Sequence, residues 1–290
     1  METIHTVAWM KHVAAEARRQ DRVIGLVPTM GALHEGHLSL VRAAQKQCSP
    51  VVVSIFVNPK QFGPAEDFQK YPRTLEADCR SLEQHGVDYL FAPSPEEIYP
   101  AAFRTAVVVE GLSERLEGRL RPGHFRGVTT IVLKLLEIAQ PRLAFFGRKD
   151  AQQVRIIRQM ALDLNLDAEI VVCPIVRESD GLALSSRNAY LRGADRQAAT
   201  VLYRSLDAVR RAIVAGERNP AYLLMALRQV IASERAVTLD YAEFVDADTF
   251  EPVVALRKAS YVLIAARVGQ TRLIDNALLE PAAESLNVTL

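Results

Sequence analysis

Apolar positions along the chain follow two periods in turn. Over Thr6–Gln20, Val7, Met10, Val13, Ala14 and Ala17 share one face, which predicts a helix. Val23–Val27 is a short apolar run, read as a strand, and Leu38–Ala44 returns to helical spacing. Val51–Val57 is a nearly continuous β-branched run, the mark of a strand covered on both faces, and Asn58-Pro59 ends it. Tyr71–Thr74 opens a helix reaching His85, followed by strands at Val87–Phe91 and Thr105–Val109 and a short helix at Leu112–Leu116. Glu117–Gly127 is read as a glycine-punctuated loop, and Val128–Ala139 as a helix stopped by Pro141. Leu143–Phe146 (strand), Ala151–Leu164 (helix) and Ala168–Val172 (strand) complete an alternation that predicts an α/β fold with a doubly wound parallel sheet.

After Pro174 the texture changes. A polar stretch, Val176–Asn188, is followed by helices at Ala194–Ala215 and Pro220–Ser233. Strands at Leu239–Val245, Tyr261–Val268 and Thr271–Ala277 close the chain, the last two joined by Gly269-Gln270, a hairpin signal. The expected organisation is a first domain over 1–175 and a second, smaller α+β domain over 176–290.

Composition narrows the function classes. Lys+Arg 35 against Asp+Glu 34 leaves a net charge of +1, without the basic excess of a nucleic-acid binder. Cys48, Cys79 and Cys173 are far apart and form no Cys-x-x-Cys pair, as expected of incidental thiols in a reducing compartment. No signal peptide or membrane-length apolar run is visible, so the expected location is the cytoplasm, without membrane association.

Candidate chemistry centres on Val27–His37, read as strand, glycine-bearing turn and helix N-terminus. In an open α/β sheet this is where a phosphate binds, on outward N–H groups and the helix dipole. Gly31 and Gly36 have P-loop spacing, but His37 stands where that motif needs Lys and Leu38 where it needs Ser or Thr. What remains is His-x-Gly-His at His34, Gly36 and His37, with a capped helix and packing histidines as the other reading. Lys60–Phe68 is a polar loop at the end of the second strand, either a lid or a passive loop. The 117–127 loop carries three arginines and His124, fit for an anion or simply solvated. Gly147–Asp150 is a second strand-to-helix turn with a cation, Lys149, and Gln152 and Gln153 open its helix. Leu184-Ser185-Ser186-Arg187 offers two hydroxyls and a guanidinium to an anion, or helix caps.

In this order, PTMGALHEGH (28–37), FVNPKQF (56–62), YPRT (71–74), RPGHFRGV (121–128), FGRKDAQQ (146–153) and LSSRN (184–188) resemble the pantoate–β-alanine ligase family, over essentially the whole chain. That family belongs to the His-x-Gly-His nucleotidyltransferase superfamily. The resemblance implies a Rossmann-like N-terminal domain, a C-terminal domain closing over the site, and a homodimer. It implies ATP, (R)-pantoate and β-alanine as substrates, with magnesium on the ATP phosphates. Pantoate would attack the α-phosphate to give pantoyl-adenylate and pyrophosphate, and β-alanine would then displace AMP.

Carried over by residue, the resemblance makes Met30, Gly31, Ala32, Leu33, His34, Glu35, Gly36 and His37 the ATP loop, with His37 the proton donor. Gly147, Arg148, Lys149 and Asp150 form a second ATP segment, with Lys149 on the phosphates. Val176 lies on the adenine side, and Leu184, Ser185, Ser186 and Arg187 form a mobile phosphate loop. His34, His37, Lys149 and Arg187 are the expected catalytic groups. Gln61 and Gln153 hold pantoate, Gln61 also borders β-alanine, and Asp78 is a magnesium-side carboxylate. The family commonly has Glu where Arg148 stands and Met where Leu184 stands. Arg148 then adds charge beside the phosphates or points to solvent, and Leu for Met conserves volume. Another nucleotidyltransferase and a non-catalytic nucleotide-binding module stay as alternatives.

Overall fold

Apolar runs become sheet strands here because helices cover both faces of the sheet, so each strand residue finds a core above or below it. The computed structural model describes residues 1–64, 66–282 and 285–290. Ala65, within the loop read after the second strand, lies outside them. Two compact units emerge: Met1–Arg148 with Gln152–Pro174, and Lys149–Ala151 with Ile175–Leu290.

The first unit runs β1 (Glu2–Ile4), α1 (Val7–Arg19), β2 (Gly25–Thr29), α2 (Glu35–Gln45), β3 (Val51–Ile55), α3 (Leu75–Gln84) and β4 (Tyr89–Phe91). It continues with α4 (Pro95–Ile98), α5 (Glu117–Leu120), α6 (His124–Ala139), β5 (Leu143–Gly147), α7 (Ala151–Asp163) and β6 (Glu169–Cys173). All pairings in the sheet are parallel, in the order β1-β4-β3-β2-β5-β6. Successive strand residues go to opposite faces. Leu26 and Val52 join a core with Met10 and Val13 of α1 and Ile131 and Leu135 of α6. Val27, Val51 and Val53 join the other, with Leu40 and Val41 of α2 and Leu82 of α3. Each fully buried side chain of this kind contributes about 1.5–3 kcal/mol. The Rossmann-like doubly wound sheet is as expected.

The second unit holds α8 (Gly193–Ala198), α9 (Val201–Val214), α10 (Pro220–Ala232), β7 (Val237–Asp246), β8 (Ser260–Val268), β9 (Thr271–Ala282) and β10 (Ser285–Thr289). Its sheet is antiparallel, in the order β10-β9-β8-β7. Leu202, Leu206 and Val209 of α9 and Leu223 and Leu227 of α10 pack with Val262 and Ile264 of β8.

Five expectations are corrected. β1 and β10 are additional strands. Residues 105–109 are not a sheet strand: the Val107 amide donates to Thr130 Oγ1 at 3.0 Å, and Thr129 Oγ1 donates to Val107 O at 2.7 Å. The backbone of Val107 is thus satisfied by α6 threonines. The 117–127 segment is not one loop, since α5 and the start of α6 lie in it. The helix read over 194–215 is two, α8 and α9, parted at Ala199-Thr200, where Thr200 Oγ1 donates back to Gln197 O at 2.8 Å. The polar stretch after Pro174 contains a hairpin, described below.

Candidate active site

The first unit's strand order reverses at β2, with β3 and β4 to one side and β5 and β6 to the other. Open α/β sheets bind ligands at the carboxyl ends of strands at such a switch point. The turn that leaves β2 there is tightly specified. Gly31 has φ +78° and Ala32 φ +50°, both in the left-handed region that costs a side chain energy. Thr29 Oγ1 accepts from the Gly31 amide at 3.1 Å. Asp78 of α3, 3 % exposed, takes the next two amides: Oδ2 accepts from Ala32 and Oδ1 from Leu33, each at 2.9 Å. Thr74 Oγ1 adds a bond to Oδ2 at 3.2 Å.

His34 caps α2. Its Nδ1 accepts from the Gly36 amide at 3.1 Å, and His37 Nδ1 accepts from the His34 amide at 3.3 Å. The two imidazoles thereby form a capping box, a job usually given to Ser and Glu. Because each Nδ1 is an acceptor, the neutral tautomer carries its proton on Nε2 in both rings. The ring centroids are 4.1 Å apart and both residues are half-buried. The capped-helix reading and the phosphate-donor reading are therefore compatible: one nitrogen serves the helix and the other bears an N–H.

Gln61 ends a turn of 3-10 helix after β3, Pro59–Gln61, capped by Asn58. Asn58 is a hub that sequence reasoning did not single out. Its Nδ2 donates to Gln61 Oε1 and Gly127 O, each at 3.0 Å, and its Oδ1 accepts from Tyr99 OH at 2.9 Å. Gln61 Nε2 donates to Met30 Sδ at 3.1 Å, linking the glutamine to the histidine turn.

The basic segment, read as fit for an anion or simply solvated, carries a clamp built on Arg121 and His124. Arg121 grips Glu66 with Nε and Nη2, each at 2.8 Å, and donates from Nη1 to His124 Nε2 at 3.0 Å. His124 Nδ1 then donates to Gln61 O at 2.9 Å. Burial, with Arg121 adding to it, pushes the His124 imidazole down to about 4, so it is neutral at pH 7. Burial works against the charge of Glu66, but Arg121 outweighs it and holds the carboxyl below its usual range. α6 starts at His124, within this clamp, and not at Val128.

In the turn after β5, Arg148 is buried, which removes the solvent-facing alternative. Gln152 is also structural: Oε1 accepts from the Glu117 amide, and Nε2 donates to Leu112 O and Arg115 O. Gln153 is half-buried.

Within the second unit, Lys149 lies 3.9 Å from Asp150. Val176 and Leu184 are neighbours, the Leu184 amide donating to Val176 O at 3.0 Å across the base of a hairpin. Glu178 N bonds to Leu182 O at 2.8 Å, and Arg177 pairs with Ala183. Ser185 caps the 3-10 turn Ser186–Tyr190, its Oγ accepting from the Arg187 amide at 3.3 Å. The polar stretch is thus a hairpin leading into a capped turn.

Asp78 does not fit the magnesium role expected of it, because both its oxygens are engaged by backbone amides. Among the described residues, no group of three or more His, Cys, Asp or Glu side chains is placed to hold a metal ion. No helix among them is long and apolar enough to cross a membrane.

A family model described as pantoate-beta-alanine ligase matches residues 2–278. The chain is 53% identical to a pantothenate synthetase of Koribacter versatilis over 285 residues, 98% of each chain. The crystal structure of pantothenate synthetase from Thermus thermophilus superposes with a TM-score of 0.91 at 44% identity, covering 95% of this chain and 98% of that one. Pantoate-beta-alanine ligase from Francisella tularensis, complexed with beta-gamma ATP and beta-alanine, matches with a TM-score of 0.78 at 35% identity over 95% and 97%. On this fold, this histidine turn and these similarities, the chain belongs to the pantoate–β-alanine ligase family.

Proposed function

We propose that this enzyme, a pantoate–β-alanine ligase, works in two steps through an acyl-adenylate. In the first, a pantoate carboxylate oxygen attacks the α-phosphorus of ATP, the bond to the bridging oxygen breaks, and pyrophosphate leaves. In the second, the amine of β-alanine attacks the pantoyl carbonyl carbon, loses a proton, and AMP leaves as the amide of pantothenate forms. The Francisella relative, complexed with beta-gamma ATP and beta-alanine, supports these substrates.

The observation that carries the reading is the division of labour within each imidazole. Nδ1 of His34 and His37 holds the N-terminus of α2, so Nε2 is the protonated nitrogen of each neutral ring, and both rings are fixed beside the helix dipole at the sheet's switch point. Charge developing on the departing phosphates is stabilised by such fixed donors, and His37 is the proton donor. Lys149 and Arg187 add cationic charge on the phosphates, with Ser185 and Ser186 contributing from the capped turn. Val176 and Leu184 border the nucleotide. Gln61, held by Asn58 and His124, and Gln153 orient pantoate. Positioning the carboxylate in line with the α-phosphorus supplies about 7–11 kcal/mol when the geometry is right.

Magnesium accompanies the nucleotide phosphates in this reading, and Asp78 does not hold it. The second unit acts as a lid, the enzyme works as a homodimer, and its compartment is the cytoplasm.

The test is pyrophosphate release from ATP with pantoate present, with and without β-alanine. Release should require pantoate, and AMP should form only once β-alanine is added. His37→Ala should still fold, at a cost of about 0.5–2 kcal/mol for the lost cap, and lose about 10²–10³-fold in release. Wild-type release by that variant would overturn the assignment of His37. Steady AMP formation without β-alanine would overturn the two-step order.

A further inference from the structure

We infer that Asp275 and Asn276, neighbours on β9, are positioning residues that set Lys149 and the Ser185–Arg187 turn from a single dipeptide. The inference rests on the reading that Lys149 and Arg187 act on ATP phosphates.

Asn276 is fully buried, and its Nδ2 donates to the backbone carbonyl of Lys149 at 3.0 Å. Asp275, 2 % exposed, receives Arg177 in a fork: Nη1 to Oδ2 at 2.6 Å and Nη2 to Oδ1 at 3.0 Å. Arg177 also donates to Gly181 O at 3.1 Å and Asn276 O at 3.4 Å, so one guanidinium ties the hairpin to β9. Its Cζ sits 5.1 Å from the centroid of the Tyr203 ring. Tyr203 packs so closely on Gly181 that a Cβ there would meet the ring at 2.1 Å. The Asn276 amide donates to Asp275 Oδ1 at 2.8 Å, which orients the carboxylate.

Two features argue for more than stability. A buried ion pair gains little over apolar residues of the same volume, because desolvating both charges offsets their attraction; what it supplies is a fixed geometry. Its hairpin partner is the segment whose base joins Val176 to Leu184, one residue before the Ser185 cap. In the same dipeptide, the second side chain holds the backbone of Lys149. Two distant stretches of sequence with the same proposed ligand thus share one anchor.

The test uses Asn276→Leu, which keeps the branched heavy-atom shape and removes the donor, and Arg177→Lys, which keeps charge and removes the fork. For each, kcat and the KM values for ATP and pantoate are measured by pyrophosphate release, beside the urea unfolding midpoint. Both should lower kcat/KM for ATP by up to about a hundredfold, as a displaced catalytic group does. KM for pantoate should stay within about twofold. Added to Lys149→Ala, Asn276→Leu should cost less than about twofold more, because it acts through that lysine. Unchanged ATP parameters in folded variants, or a full independent loss on top of Lys149→Ala, would overturn the inference. Wild-type release by Lys149→Ala would instead overturn the role of Lys149. Should Asn276→Leu not fold, Arg177→Lys carries the same criterion.

Discussion

In the turn between β2 and α2, each histidine caps the helix within three residues of itself, whereas the hairpin at 177–183 is held by Asp275 from 98 residues away. The first arrangement forms as soon as α2 forms. The second needs β9 in its sheet before Arg177 has a partner. Short-range bonds therefore cap α2, with Asp78 a distant carboxylate anchor of the turn before it. The hairpin closes on its own backbone bonds, and its tie to the sheet is long-range.

The sharpest way to break this contrast is Arg177→Leu. It leaves the buried Asp275 carboxylate without its fork, and should cost about 3–5 kcal/mol in urea unfolding. A loss no larger than that of a surface substitution would remove the buried pair from its place in the contrast. Next comes Asp78→Asn, which replaces one acceptor oxygen facing a turn amide. We expect a loss of about 1–3 kcal/mol for the amide left unsatisfied. Pyrophosphate release should fall by about a hundredfold while its dependence on magnesium concentration is unchanged. A shifted magnesium dependence would return Asp78 to the metal.

A third measurement probes the clamp through pH. His124 resists protonation until about 4 when folded, while the unfolded imidazole titrates near 6.5. Between those values the unfolded chain binds more protons, so stability is full above the unfolded value and is lost as pH falls toward 4. The groups facing His124 are Arg121, Glu66 and Glu117. Moving from pH 7 to pH 5 should cost about 2 kcal/mol through this residue. That part of the slope should vanish in His124→Gln. The smallest effect sharpens the hairpin side. Arg196 pairs with Glu178 at 2.7 Å and Asp180 at 2.8 Å from partly exposed positions, and Arg196→Ala should change the midpoint by less than about 1 kcal/mol.

The same contrast explains what the sequence made legible. Five of the six strands of the parallel sheet were readable because runs such as Val51–Ile55 and Leu143–Gly147 are apolar and buried on two faces. β1 was not, since two of its three residues are exposed. Val107–Val109 has strand composition, but composition does not say that α6 threonines will take its backbone bonds. The histidine turn was visible because its chemistry is contiguous. Asn58 was hidden in plain view, since Asn-Pro reads as a strand stop and nothing local tells of Tyr99 and Gly127. His124 stayed between an anion site and a solvated loop because its partners, Gln61 and Arg121, include one 63 residues away. Asp275 and Asn276 carry no sequence signal, because what they hold lies in other segments.

Ala32 keeps a left-handed backbone at φ +50° while Asp78 takes its amide. A saturation library at this codon, selected for growth without supplied pantothenate, would be narrow. Glycine would pass most easily, alanine and asparagine would survive, and valine, isoleucine and threonine would be purged by their branched Cβ. Drift at that site is confined by torsion before any substrate is met.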